Sequence, residues 1–255
     1  MAPSGGRAPG AEDRVLLHVE GAVAEMRINR PERLNAVDDA MLETFARHLE
    51  TIAGLEDVRL VLLTGAGRAF CAGGDLKRPP RTGPESDQVA LLRRQAATVE
   101  ALASLPQPTI AVLGGACAGL AVGWAAACTL RVMTDNAVVN TAYMAAGLSG
   151  DFGVAWWLTR LLGSGTAADW MLRPRKIGAE ECTARGFATI RCAPERLDET
   201  VDDLTATLLS HKPAALTGAL INLRLAPGMG LAPYLDQESE RHVAVRQSGL
   251  TRRTP

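Results

Sequence analysis

Two runs of small residues are the first candidates for chemistry in this chain. Phe70-Cys71-Ala72-Gly73-Gly74-Asp75-Leu76 follows an apolar run, Leu60-Val61-Leu62-Leu63-Thr64, and a Gly65-Ala66-Gly67 turn. Gly114-Gly115-Ala116-Cys117-Ala118-Gly119-Leu120-Ala121 follows a second apolar strand pattern and opens a helical one. A buried strand running into glycine and alanine leaves its backbone bare, so a ligand can approach the peptide N–H groups closely. Such groups hold a negative oxygen, as chemistry on an acyl ester requires. Two segments of this kind predict a pair of N–H donors converging on one oxygen.

The elements that must position them follow from periodicity. Residues 15–19 and 23–28 alternate as a β-hairpin with Gly21 in the turn. Asp38 or Asp39 is placed to cap a helix in which Met41, Leu42, Phe45, Leu49 and Ile52 recur at helical spacing. Strands are expected at 58–64, 109–113, 131–133 and 137–139. Helices are expected at 91–105 and 120–128, with a polar, proline-rich loop at 79–84. From Val154 onward the pattern is mainly helical, over 156–162, 166–172, 179–185, 197–210, 214–225 and 231–247, with a short strand near 189–192. Alternating strands and helices predict an α/β core. The expected division is a disordered tail at 1–13, the core at 14–195 and a helical region at 196–255.

Bulk composition narrows the classes. The chain has 255 residues, 47% apolar and 22% charged, and a net charge of −1 without a long run of one sign. Nucleic-acid binding as the main task needs a basic footprint that this balance lacks. Cys71, Cys117, Cys128, Cys182 and Cys192 show no metal-type or CxxC spacing, so free buried thiols in a reducing, cytoplasmic setting are expected and no metal. The apolar stretch 110–127 is long enough to raise a membrane question, but its glycines and alanines favour a buried strand and helix.

The chain resembles the crotonase superfamily, the enoyl-CoA hydratase/isomerase family, from about residue 15 to residue 247. The marks are Asn29-Arg30-Pro31-Glu32-Arg33-Leu34-Asn35-Ala36, then Leu62 through Lys77, the Gly/Ala-rich stretch before Leu120, and Gly147-Leu148-Ser149-Gly150-Asp151-Phe152-Gly153. The resemblance implies a spiral of repeated ββα units with C-terminal helices used in trimerisation, giving a homotrimer or homohexamer. It implies an acyl-CoA thioester as partner, with coenzyme A brought by the substrate and no other cofactor. The thioester oxygen would lie between the N–H groups of Gly74 and Leu120, where the family usually has glycine at the second position. Arg33, Ala36, Ala72, Gly74, Asp75 and Leu76 match positions around the CoA, Arg33 being the basic one expected to face its phosphates.

The chain also departs from the pattern. Hydratases of this family place water with two glutamates, and the matching positions here are Gly123 and Tyr143. Asp151 is the remaining carboxylate, where family isomerases and the dehalogenase branch carry a functional aspartate. One carboxylate beside a polarised thioester suffices to move a proton between two carbons. Its competing role is a cap on the helix near Val154. Tyr143 is read as a hydrogen-bonding partner of substrate or of Asp151, or as pocket wall. Trp156 and Trp157 are read as core or acyl-pocket wall. The four histidines are expected in solvated or capping roles. Three functions stay open: an acyl-CoA isomerase or related lyase using Asp151, a hydratase with an atypical acid/base set, and an acyl-CoA-binding protein without chemistry.

Overall fold

A computed structural model describes residues 11–77 and 82–250. Residues 1–10 of the expected tail and 79–81 of the expected proline-rich loop lie outside the described residues. Residues 11–13 of that tail belong to a helical turn, α1 (Ala11–Arg14). The chain then forms the antiparallel pair β1 (Val15–Glu20) and β2 (Val23–Ile28), matching the expected hairpin.

Helix α2 (Asp39–Ala53) starts where its cap predicts: the Asp38 side chain accepts from the Met41 N–H at 3.0 Å. Such a cap is worth about 1 kcal/mol. Met41, Leu42, Phe45, Leu49 and Ile52 form its buried face. Phe45 stacks on Trp124 with ring centroids 4.1 Å apart.

A repeat in three dimensions follows, though the sequence shows none. β3 (Leu60–Gly65), β4 (Ala69–Cys71) and α3 (Glu85–Ser104) make one turn. β5 (Thr109–Leu113), β6 (Ala116–Ala118) and α4 (Leu120–Ala127) make the next. β7 (Leu130–Thr134) and β8 (Val138–Asn140) begin a third, which continues into α5 (Val154–Leu162) and α6 (Ser164–Leu172). Each turn gives its first strand to one sheet and its second to another. β3, β5 and β7 pair in parallel in the large sheet, and β4, β6 and β8 pair in parallel in the small one. β9 (Ile177–Gly178) closes the small sheet; after α7 (Ala179–Ala184), β10 (Ile190–Cys192) closes the large one. This is the expected spiral of ββα units.

The apolar stretch 110–127 becomes β5, β6 and α4, with every residue of α4 buried. No helix among the described residues is long and apolar enough to cross a membrane. Helix α8 (Leu197–Ser210) covers the outer face of the large sheet, where Val201 joins Leu60, Ile110, Val112 and Val132. Helices α9 (Pro213–Leu225) and α10 (Leu231–Leu250) pack on each other, with Gly218 set against Val245.

Helix α3 begins six residues before the position read from periodicity. Its first turn is polar and acidic, with Glu85 and Asp87, and carries no apolar signal. Trp156 corrects a second expectation. It is neither core nor pocket wall but 51% exposed, with the Arg160 guanidinium 3.4 Å from its ring centroid. An apolar ring can stand in solvent when a cation from the next turn of its own helix covers it. Trp157 is half-buried against the core, and the deeply buried tryptophans are Trp124 and Trp170.

Candidate active site

A cavity of about 130 Å³ opens where the spiral's successive turns meet. Its wall joins the loop after β4, the start of α4, the segment after β8 and the turn before α5. Ala72, Gly73, Gly74, Asp75, Leu76, Gly119, Leu120, Tyr143 and Asp151 all line it. Leu42, Leu92, Ala146 and Leu148 supply apolar wall, and Leu76, 79% exposed, stands at the rim.

The two small-residue loops abut. Gly73 has φ of +92°, and a Cβ there would lie 2.8 Å from the Ala118 carbonyl oxygen. Glycine is therefore demanded at 73 both by conformation and by the neighbouring backbone. Gly74 is different: a Cβ there would meet only Leu120 Cδ2, at 3.7 Å. The chain itself has room for a methyl group at 74, so a turn does not explain that glycine.

Both candidate donors are unengaged. Val37 N–H donates to the Gly73 carbonyl and Asp75 N–H donates to the Val37 carbonyl, each at 2.8 Å. The trans peptide between 73 and 74 then turns the Gly74 N–H away from Val37. Leu120 is the first residue of α4, where helix geometry offers its N–H no partner. Neither amide has a hydrogen-bond acceptor among the described residues.

Across the cavity, Asn140 Oδ1 accepts from Ala142 N–H at 3.0 Å, and the Thr141 hydroxyl donates to the Trp170 carbonyl at 2.7 Å. Tyr143, held by this corner, is buried and donates its hydroxyl to Asp151 Oδ1 at 2.6 Å. Burial, and then the Asp151 charge, push the Tyr143 phenol pKa far up, so the phenol keeps its proton. Gly153 rather than Asp151 occupies the N-cap of α5. Asp151 thus faces Tyr143 and the cavity.

The turn carrying Asp151 also explains Gly123. Phe152 sits at φ +47°, unusual for a residue with a side chain. Its ring is buried edge-on against Trp124. Its carbonyl lies where a Cβ on Gly123 would be, at 2.3 Å. The place on α4 from which a side chain at 123 would project is filled by backbone.

The remaining expected residues divide. Arg33 is exposed on a one-turn 3-10 helix (Pro31–Arg33), and neither it nor Ala36 lines the cavity. Asp75 lines the cavity, but its carboxylate is engaged by the Lys77 N–H at 3.0 Å and by Arg30 Nη1 at 2.8 Å. These two contacts hold its carboxyl below the usual value, against the opposing effect of burial. Of the histidines, His48 bonds the Val15 carbonyl at 2.9 Å and His18 is exposed beside Glu20. All five cysteines are free, and burial pushes Cys71 up to about 12. No metal-holding cluster of His, Cys, Asp and Glu occurs among the described residues.

Arg30 was not singled out from sequence. Its side chain is 15% exposed and joins the Ala36 carbonyl to Asp75. Asn35, fully buried, bonds the carbonyls of Ala66, Ala69 and Phe70. The Asn-Arg-Pro segment carried that signal only as part of a family mark.

Comparison with known proteins places this geometry. Residues 18–250 match the family model described as enoyl-CoA hydratase/isomerase. The chain is 34% identical over 200 residues to 1,2-epoxyphenylacetyl-CoA isomerase of Escherichia coli, covering 77% of this chain and 76% of that one. It is 31% identical over 209 residues to 4-chlorobenzoyl coenzyme A dehalogenase-1 of an Arthrobacter species, covering 80% and 75%. Among solved structures, a Thermobifida fusca protein in complex with CoA superposes with a TM-score of 0.87 at 28% identity, covering 96% of this chain and 99% of that one.

Proposed function

The chain belongs to the enoyl-CoA hydratase/isomerase family, and from that membership we propose that it is an acyl-CoA isomerase, or a related lyase, that works on a thioester enolate. The thioester oxygen accepts from the Gly74 and Leu120 amides. Asp151 takes a proton from one carbon of the acyl chain and returns it to another. The enolate oxygen formed between the two steps is held by the amides, and the same carboxylate gives the proton back, so no water is consumed. Coenzyme A enters with the substrate, and no further cofactor is needed.

The observation that carries this reading is the meeting of two acceptor-free amides and one tyrosine-held carboxylate in a single cavity. An amide aimed at the developing oxyanion supplies about 3–4 kcal/mol in the transition state. Leu120 adds the positive end of α4 to its hydrogen bond. The relatives include proteins named as probable enoyl-CoA hydratases, and two others favour thioester chemistry other than hydration. By name one is an isomerase and one a dehalogenase, and both act on CoA esters of ring-bearing acyl groups. Hydration by paired carboxylates is disfavoured because Gly123 has neither the side chain nor the space for one. The Thermobifida fusca protein, solved with CoA, supports an acyl-CoA partner. Apolar side chains exposed on α9 and α10, such as Leu223, Leu231 and Val243, suit a homotrimer or homohexamer.

The test is incubation with a set of enoyl-CoA esters in heavy water, followed by mass spectrometry. A shifted double bond with deuterium in the acyl chain is expected, and Asp151→Asn should lose turnover while still binding the ester. Unchanged turnover in that variant discards the mechanism. Gain of one water by the product would assign a hydratase, and binding without exchange would assign a carrier.

A further inference from the structure

The Gly74 amide is aimed by its surroundings, and one side chain ties those surroundings together. Val37 pairs with residues 73–75 through two backbone bonds, from Val37 N–H to the Gly73 carbonyl and from Asp75 N–H to the Val37 carbonyl. That register turns the Gly74 N–H away from Val37, because a trans peptide points its N–H opposite to its carbonyl, and Gly74 lines the cavity. Arg30 clamps both partners of the pairing. Its Nη1 donates to the carbonyl of Ala36, next to Val37, at 3.0 Å, and to the carboxylate of Asp75, next to Gly74, at 2.8 Å. The two charged side chains are only 15% and 14% exposed, so solvent screens the pair weakly. Asp38 Oδ2, at 4.0 Å, and Glu32, at 3.8 Å, are its other acidic neighbours.

We infer that Arg30 is a positioning residue of the carbonyl-binding site, which orients the Gly74 amide through Asp75 and the 36–37 backbone without touching the substrate. The inference rests on the reading that Gly74 and Leu120 hold a thioester oxygen, and it adds what keeps that donor in place. It also gives Asp75 a role other than CoA binding: its two carboxylate oxygens are used by Arg30 and by the Lys77 N–H.

Polarisation of a bound carbonyl tests this directly, because a hydrogen-bonded thioester C=O stretches at lower frequency. The probe is butyryl-CoA labelled with carbon-13 at the thioester carbonyl, read by isotope-edited infrared difference spectroscopy on the full chain. In the unaltered protein the bound band is expected below its position in free solution. An unshifted band there overturns the carbonyl-binding reading itself, and the role of Arg30 with it. Given a shifted band, Arg30→Gln should move it back toward the free position. Exchange of the α proton should fall on the order of 10- to 100-fold, as misplacing one donor does, with the dissociation constant changed far less. A band that stays shifted in Arg30→Gln overturns the positioning role and leaves the carbonyl-binding reading intact. Should Arg30→Gln fail to fold, Asp75→Asn, which keeps the shape but loses the charge and one of the two acceptor oxygens, carries the same two outcomes.

Discussion

The Tyr143 hydroxyl donates to Asp151 Oδ1 at 2.6 Å, from a phenol that burial and the neighbouring carboxylate keep protonated. Tyr143 therefore binds the Asp151 carboxylate directly, one of the two partners expected for its hydroxyl. A donor to a carboxylate favours its charged form and fixes its orientation. Tyr143→Phe keeps the ring in the wall and removes only the hydroxyl. We expect turnover to fall about tenfold, an ordinary cost for a misplaced base, and the acid limb of the pH–rate profile to move to higher pH. A profile superimposable on the unaltered one would make the hydroxyl a packing feature.

Gly73 and Gly74 should separate in experiment although they are neighbours. Gly73→Ala forces a side chain into φ +92° and against the Ala118 carbonyl, so it should lose roughly 1–3 kcal/mol of stability. Gly74→Ala meets only Leu120 Cδ2 at 3.7 Å and should unfold near the unaltered midpoint. Its methyl group would nevertheless stand on the cavity wall beside the proposed donor, so binding of CoA esters should weaken. Thermal unfolding and ester titration of both variants check this. Equal stability losses would return Gly74 to the role of a turn residue.

What could be read from the chain before its structure follows a physical divide. The two glycine-rich segments were legible because bare backbone is a compositional signal, and α2 because its cap and apolar face are local. Asp151 was legible as the carboxylate left over, yet its cap role was excluded only when Gly153 took the N-cap. Arg30 was invisible because its use depends on Asp75, 45 residues away. The closing of Gly123 was equally hidden. It depends on a left-handed Phe152, a conformation with no residue signature, anchored by a ring packed on Trp124.

Gly123 offers the next test. Glycine to alanine in a helix ordinarily stabilises by up to about 1 kcal/mol. Here the added Cβ would lie 2.3 Å from the Phe152 carbonyl, so the sign should reverse. Gly123→Ala should lower the melting temperature, and Gly123→Glu should lower it further without giving hydration of crotonyl-CoA. A stable Gly123→Glu variant that hydrates crotonyl-CoA would show that the 150–153 turn yields easily and that Gly123 does not bar a second carboxylate.

The Arg30–Asp75 pair should also leave a mark on stability against pH. The folded Asp75 carboxyl lies below its ordinary value, first through the Lys77 N–H and then through Arg30. A depressed carboxylate contributes stability that is full above the unfolded value of about 3.9 and is lost as pH falls through the lower folded one. Asp75→Asn cannot ionise, so the difference between it and the unaltered protein isolates this contribution. Urea unfolding from pH 7 downward should show the unaltered protein ahead at neutral pH, in the direction of a charge-assisted hydrogen bond. That advantage should hold to about pH 4 and then shrink. A constant difference across the acid range would mean that Asp75 contributes shape alone, and the charge on Arg30 would then have no part in holding the loop.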